Sequence, residues 1–288
     1  MSRLSKFFQL KNGSRIEYTL VGSGKPILLF HGGHSDCHEE LGYSNLLEQG
    51  YSILTPSRAG YGKTSKELGL SLDSACEAYY QLLNALQISK VHVIAVSAGG
   101  PTGITFAAKY PTRVSSLILQ SAVAQKWHDQ NDTTYKAARI LFHPSREKYT
   151  WRLLSYLSGR VPKVVVKQML PSFSKLPADE IMLQWNEDDI DQFSAMIQRQ
   201  RSHHGFMFDL RQTASSLVPE MKSILCPTLI MHSKYDNAVL PEHAYAAQYH
   251  ISGSQLCLLE SWGHLIWLGR GADSVHKKLN SFLTAVDS

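Results

Sequence analysis

The sequence predicts an α/β protein with a mostly parallel central sheet, flanked by helices and interrupted by a helical insertion. Three observations predict it. Short continuous apolar runs recur through the first half of the chain and again near its end, as expected of strands covered on both faces. Segments with apolar residues at helical spacing separate these runs. Between Ser121 and Ile224 the alternation stops, and a helix-rich stretch punctuated by Pro162, Pro171, Pro177 and Pro219 takes its place. With 288 residues, 43% of them apolar and 18% charged, the chain is long enough to bury a large core.

The first two runs, 7–10 and 15–21, are predicted to pair as a hairpin around Asn12-Gly13, a dipeptide that tolerates the positive φ of a tight turn. Runs 27–30, 52–55, 91–96 and 114–120 are predicted strands of the main sheet. Ahead of the third of these, Ala75, Tyr79, Leu82, Leu83 and Leu86 share one face of a predicted helix. The insertion carries aromatics at Trp127, Tyr135, Phe142, Trp151, Tyr156 and Trp185 and reads as packed helices. Strands resume at 228–231 and 255–259, with helices near 242–249 and 272–283. Residues 1–122 and 220–288 are therefore expected to form the core, and 123–219 the insertion.

Charge narrows the partners. The net charge of +5 comes from scattered lysines and arginines without arginine-rich tracts, so no nucleic-acid partner is expected. Within the insertion, basic residues outnumber acidic ones roughly three to one from Lys126 to Lys175. The run Asp179, Glu180, Glu187, Asp188, Asp189 and Asp191 follows with no base among it. It reads as a solvated helix face, with the lining of a substrate pocket as the alternative. Cys37, Cys76, Cys226 and Cys257 form no C-x-x-C pair and suit reduced thiols. No run has the length of a membrane span and no secretion signal is visible, so a cytoplasmic location and no membrane partner are expected. The sequon at Asn131 then reads as loop sequence.

Metal and nucleotide chemistry find little support. His38-Glu39-Glu40-Leu41-Gly42 lacks the second histidine of a zinc-binding helix, and His203-His204 would point about 100° apart on a helix. The stretch from Ser57 to Thr64 nearly spells a phosphate loop. It lacks the first glycine, and Gly69 interrupts the helix that should open at Lys63. No metal or cofactor is expected.

The chemistry centres on Ala95-Val96-Ser97-Ala98-Gly99, where a predicted strand gives way to a small-residue helix. A serine on so sharp a turn needs small neighbours and becomes a candidate nucleophile. Its hydroxyl needs a base, and the base an orienting group. Asp236 follows the strand at 228–231 and His264 follows the strand at 255–259, so in a parallel sheet all three gather at one carboxyl edge. Ser97, His264 and Asp236 thus fit nucleophile, base and acid. The turn His31-Gly32-Gly33-His34 can present amide N–H groups to an oxyanion, and those of Gly33 and Ala98 are the candidate donors. His31 itself reads as a packed, hydrogen-bonded loop residue.

With these residues the chain resembles the α/β-hydrolase superfamily over about 7–122 and 220–288. The resemblance rests on His31-Gly32-Gly33, Ser97 in its turn, Tyr110-Pro111-Thr112-Arg113-Val114, Asp236 with Pro241-Glu242-His243-Ala244, and Gly263-His264. It departs at Ala95, where glycine is usual, and at Ser57, where an aspartate is usual. The resemblance implies that 123–219 is a helical cap setting substrate choice. It also leaves Asp129 and Asp132 as alternative positions for the acid. The reading is a cofactor-independent serine hydrolase cleaving an ester-like bond of a small, partly apolar substrate through an acyl-enzyme. The alternatives are a proline iminopeptidase-like aminopeptidase, which usually has tryptophan where Ala98 stands, or a ligand-sensing protein retaining the fold.

Overall fold

The computed structural model describes residues 4–127 and 133–288. Its strands are β1 (Lys6–Gln9), β2 (Arg15–Gly22), β3 (Lys25–Phe30), β4 (Tyr51–Pro56), β5 (Val91–Val96), β6 (Val114–Gln120), β7 (Thr228–Ser233) and β8 (Gln255–Leu259). They form one sheet in the order β1-β2-β4-β3-β5-β6-β7-β8. The β1 and β2 hairpin and the β2–β4 pair are antiparallel, and every later pair is parallel. The strand runs predicted from sequence all form, with ends moved by at most two residues.

The period of two along the strands distributes the core between the two faces of the sheet. Leu28, Phe30, Val93, Ala95, Leu117 and Leu119 point to one cluster, while Ile27, Leu29, Ile94, Val96 and Ile118 point to the other. The helices in chain order are α1 (Ser44–Glu48), α2 (Leu72–Ala85), α3 (Gly100–Lys109), α4 (Thr133–Leu141), α5 (Glu147–Arg160), α6 (Pro162–Phe173), α7 (Ala178–Gln184), α8 (Glu187–Arg199), α9 (Gly205–Gln212), α10 (Val218–Lys222), α11 (Glu242–His250) and α12 (Ala272–Asp287). Helices α2, α3, α10 and α11 bury apolar residues in the first cluster, α1 and α12 in the second.

Among the described residues, seven helices, α4 to α10, fall between β6 and β7. Helices α6, α7 and α8 pack around Val166, Leu170, Ile181, Phe193 and Ile197, and this cluster also takes in Trp262 and Leu265 from the turn after β8. Helix α9 packs Phe206 and Leu210 against Tyr61 from the loop after β4. The inserted helices therefore rest on the loops at the carboxyl edge of the sheet. Among the described residues, no helix is long and apolar enough to cross a membrane.

Candidate active site

Strand β5 stays extended to Val96 and then turns sharply. Ser97 takes φ +51°, a left-handed conformation that costs a non-glycine residue on the order of 1 kcal/mol or more. Close packing around the turn enforces it. A Cβ on Gly99 would lie 2.4 Å from the Phe30 carbonyl oxygen, and one on Gly100 would lie 2.2 Å from that of Val123. The Val123 amide donates to the Ser97 carbonyl at 2.9 Å. The departure at Ala95 has a local answer: its methyl occupies space beside Gly103, where a Cβ would come within 2.4 Å of it.

The structure brings together the three side chains singled out in the sequence. His264 Nε2 lies 2.9 Å from Ser97 Oγ, and His264 Nδ1 lies 2.8 Å from Asp236 Oδ2. A carboxylate only accepts, so Nδ1 carries the proton and Nε2 is left to accept from the serine hydroxyl. Burial alone would raise the Asp236 carboxyl. The electrostatic attraction of His264, with hydrogen bonding by His232 and His264, outweighs it and holds the group well below the usual carboxylate range. Its second oxygen accepts the amides of Ala238 and Val239, both at 2.9 Å. His232, in β7, donates from Nε2 to the Val239 carbonyl at 2.7 Å and lies 3.2 Å from Asp236 Oδ2. Nothing in the sequence distinguishes His232 from any other histidine inside a strand.

His264 is fixed from two further sides. The Ser121 hydroxyl, at the end of β6, donates to the His264 carbonyl at 2.7 Å. At the end of α6, the Phe173 carbonyl accepts the amides of His264 at 2.9 Å and Asn237 at 3.3 Å. Ser174 pairs with Asp236 as an isolated antiparallel bridge, and its hydroxyl donates to the Trp262 carbonyl. A Cβ on Gly263 would come 2.5 Å from the Phe173 carbonyl oxygen, so glycine is the residue that lets α6 reach this turn.

Across the site, the turn after β3 lies against Ser97 and Ala98. A Cβ on Gly32 would stand 3.2 Å from that of Ser97, and one on Gly33 would stand 3.7 Å from that of Ala98 and 3.6 Å from the Phe206 ring. His31 is packed and hydrogen-bonded. Its Nε2 accepts the Arg58 amide at 2.8 Å, so its Nδ1 donates to the Gly32 carbonyl at 2.8 Å. Burial, aided by the Arg58 charge, pushes its pKa well down and keeps the ring neutral. Nothing in the sequence marks Arg58 as part of the site. Its guanidinium donates to the carbonyls of His31 at 2.7 Å and Gly32 at 3.1 Å. It also forks onto Asp209 of α9 at 2.6 and 2.8 Å, and the Tyr61 hydroxyl shares that carboxylate at 2.5 Å.

The second departure in the sequence, Ser57, is also compensated. Glu17, buried in β2, accepts from the Ser57 hydroxyl at 3.1 Å and from the Lys63 amide at 2.7 Å. A carboxylate from another strand thus fills the loop that resembles a phosphate cradle, and α2 opens at Leu72 rather than Lys63. Glu17, Cys37 and His38 bring possible metal-ligand atoms together. Burial pushes the Cys37 thiol up to about 12, so it stays protonated, and Glu17 is already committed to the loop. In the acidic run, the side chains of Asp179 and Glu187 are 78% and 74% exposed and pair with Lys167 and Lys163. They form a solvated face there. Asp129 and Asp132 lie outside the described residues.

Comparison with known proteins bears on this arrangement. The family described as the alpha/beta hydrolase fold matches residues 25–160. The chain is 53% identical over 272 residues to an uncharacterized hydrolase, YcgS, of Bacillus subtilis (strain 168), covering 94% of this chain and 96% of that one. Among solved structures it is similar to an alpha/beta hydrolase fold protein from Nakamurella multipartita, with a TM-score of 0.83, 25% identity and coverage of 97% and 99% of the two chains. An esterase from Exiguobacterium antarcticum shares the fold at a TM-score of 0.72 and 22% identity, covering 99% and 100%. The sheet order, the strained serine turn and 53% identity to a hydrolase over nearly its full length together establish that this chain belongs to the α/β hydrolase family.

Proposed function

We propose that this chain is a serine hydrolase that cleaves an ester-like bond of a small, partly apolar substrate. The observation that carries the reading is the continuous relay from Ser97 Oγ through His264 to a buried, ionised Asp236, with spacings of 2.9 and 2.8 Å. In the proposed reaction His264 Nε2 takes the Ser97 proton as the hydroxyl oxygen attacks the substrate carbonyl. The negative charge that develops on the carbonyl oxygen is received by the amides of Gly33 and Ala98. His264 then protonates the leaving alcohol as the bond to it breaks, leaving an acyl-Ser97. Water, deprotonated by the same histidine, releases the acid and restores the serine.

The surroundings support an apolar substrate portion. Phe206 adjoins Gly33 and stands within an aromatic group with Phe142 and Trp127, at ring distances of 5.4 and 6.3 Å. The inserted helices would then act as a cap whose aromatic side chains select the acyl or alcohol part. An aminopeptidase reading calls for carboxylates facing the site to hold an amine, and the outward orientation of Asp179 and Glu187 disfavours it.

Hydrolysis of a short p-nitrophenyl ester by wild type and by Ser97→Ala tests the reading. The expected result is a loss of about four decades or more in rate. A fluorophosphonate should label wild type and neither Ser97→Ala nor, at neutral pH, His264→Ala. Near wild-type turnover by Ser97→Ala would sink the mechanism. Labelling without turnover of any ester, lactone or amide would move the chain to the ligand-sensing class.

A further inference from the structure

Helix α5 is built inside out for a helix at the surface. Its inner side buries Trp151 and Ser158, the latter donating to the Ser194 carbonyl of α8. Its outer side presents Tyr149, Leu153 and Tyr156 at i, i+4 and i+7, with exposures of 61%, 59% and 58%. Val161 and Val164 continue the exposed apolar surface into α6, and Ile140 precedes it at the end of α4. The end of α4 lies beside α5, where the Thr150 hydroxyl donates to the Leu141 carbonyl. Scattered exposed apolar residues need no explanation, but a continuous stripe does.

The segment that carries the stripe is strongly basic. From Thr133 to Ala178 the chain carries nine lysines and arginines and a single carboxylate, Glu147. That carboxylate is buried and paired with Arg201 at 2.8 Å. Lys163 and Lys167 of α6 pair with Glu187 and Asp179. Among the described residues, the α4 and α5 cations have no carboxylate partner. Arg160 and Lys148 lie over the rings of Tyr156 and Tyr149, at 5.3 and 4.8 Å. Next to the stripe, a cleft of about 480 Å³ is lined by Lys136, Arg139, His143 and Arg146, with Ile140 between them.

We infer that this face docks on an anionic lipid surface. Apolar side chains and tyrosines on the outside of a helix, flanked by long cationic side chains, are the composition of an interfacial helix. A second copy of the chain fits poorly, because a twofold contact through this face would set its unpaired cations against themselves. The expectation of no membrane partner rested on the lack of a spanning run, and a surface contact needs none. Docked in this way, the inserted helices face the bilayer while Ser97 stays in the body of the protein. The inference stands apart from the proposed hydrolysis.

Co-sedimentation with vesicles tests it, comparing phosphatidylcholine alone with phosphatidylcholine containing phosphatidylglycerol, at low and high salt. Wild type is expected to sediment with the anionic vesicles at low salt and to be released by high salt. Arg152→Gln and Arg160→Gln should each lower the partition coefficient about fivefold. Leu153→Asp combined with Tyr156→Asp should abolish binding while leaving turnover of a soluble ester unchanged. Wild type remaining unbound to anionic vesicles at low salt would overturn the inference. So would a double variant that binds as wild type does. A wild-type dimer in analytical ultracentrifugation that these two substitutions dissociate would reassign the face to a second copy of the chain.

Discussion

Asp236 illustrates how a single side chain is prepared at this site. Both of its oxygens are occupied, one by two amides and the other by His264 and His232, so the carboxylate is held in one orientation and one charge state. Asp236→Asn keeps the shape but offers His264 Nδ1 a donor as readily as an acceptor. On the proposed mechanism, kcat for a soluble ester is expected to fall by about four decades. Near-full activity would move the acid elsewhere in the chain. His34, beside the glycine turn, is prepared in the opposite sense. It is ringed by Phe142, Trp151 and Phe206, and its Nδ1 is 2.7 Å from the Ser202 hydroxyl. Burial lowers its pKa from 6.5 to about 3, with Arg58 adding to the effect and Glu147 opposing it. A histidine neutral in the folded state and protonated in the unfolded chain contributes full stability above pH 6.5. That contribution is lost as pH falls toward about 3. The loss from His34 is on the order of 4 kcal/mol across that window. Urea unfolding at a series of pH values is expected to give a flatter profile for His34→Phe than for wild type, and parallel profiles would refute this account.

At the scale of elements, α6 matters more through its end than through its length. Its terminal carbonyl, on Phe173, accepts amides from the turn that carries His264 and from the loop that carries Asp236, and Gly263 makes the approach possible. Gly263→Ala sets a methyl 2.5 Å from that oxygen, so one side must shift. The expected result is a loss of about 1–3 kcal/mol in stability together with reduced kcat/KM. Gly159→Ala in α5, whose nearest neighbour atom is 4.0 Å away, should instead be neutral or stabilising by up to about 1 kcal/mol. If Gly263→Ala matched that control in both Tm and kcat/KM, the α6 contact would not position the base. The difference between these glycines marks where sequence reading stops. Strands 91–96, 114–120 and 255–259 have the bounds predicted for them, because continuous apolar runs and β-branched residues are local signals. The gathering of Ser97, Asp236 and His264 followed from strand order alone. By contrast, the Glu17 that answers for Ser57 comes from another strand, and the Asp209 that engages Arg58 is 151 positions away. Such pairings need the register of two distant segments, which no local pattern carries.

Across the whole molecule, the inserted helices are sewn to the sheet along two seams. One joins α6 to the loops of Asp236 and His264. The other joins the region of α9 to the turns after β3 and β4, where the Arg201 amide donates to the His34 carbonyl at 2.8 Å and the His204 and Gly205 amides donate to Gly60 at 3.1 and 3.0 Å. Its buried centre is the pair of Arg58 and Asp209, with side chains 4% and 3% exposed. A buried ion pair contributes little net stability relative to apolar replacements, but removing one partner strands the other charge. Asp209→Leu is therefore expected to cost about 3–5 kcal/mol in urea unfolding, and Arg58→Met combined with Asp209→Leu should recover part of that loss. Activity should behave differently. Arg58 also donates to the His31 and Gly32 carbonyls, which hold the turn that presents Gly33, so kcat/KM of the double variant should stay at least about tenfold below wild type even where stability returns. Full recovery of kcat/KM in the double variant would mean that the pair only stabilises. Stability regained without activity would mean that the guanidinium spans the two halves of the molecule in order to position the turn beside Ser97.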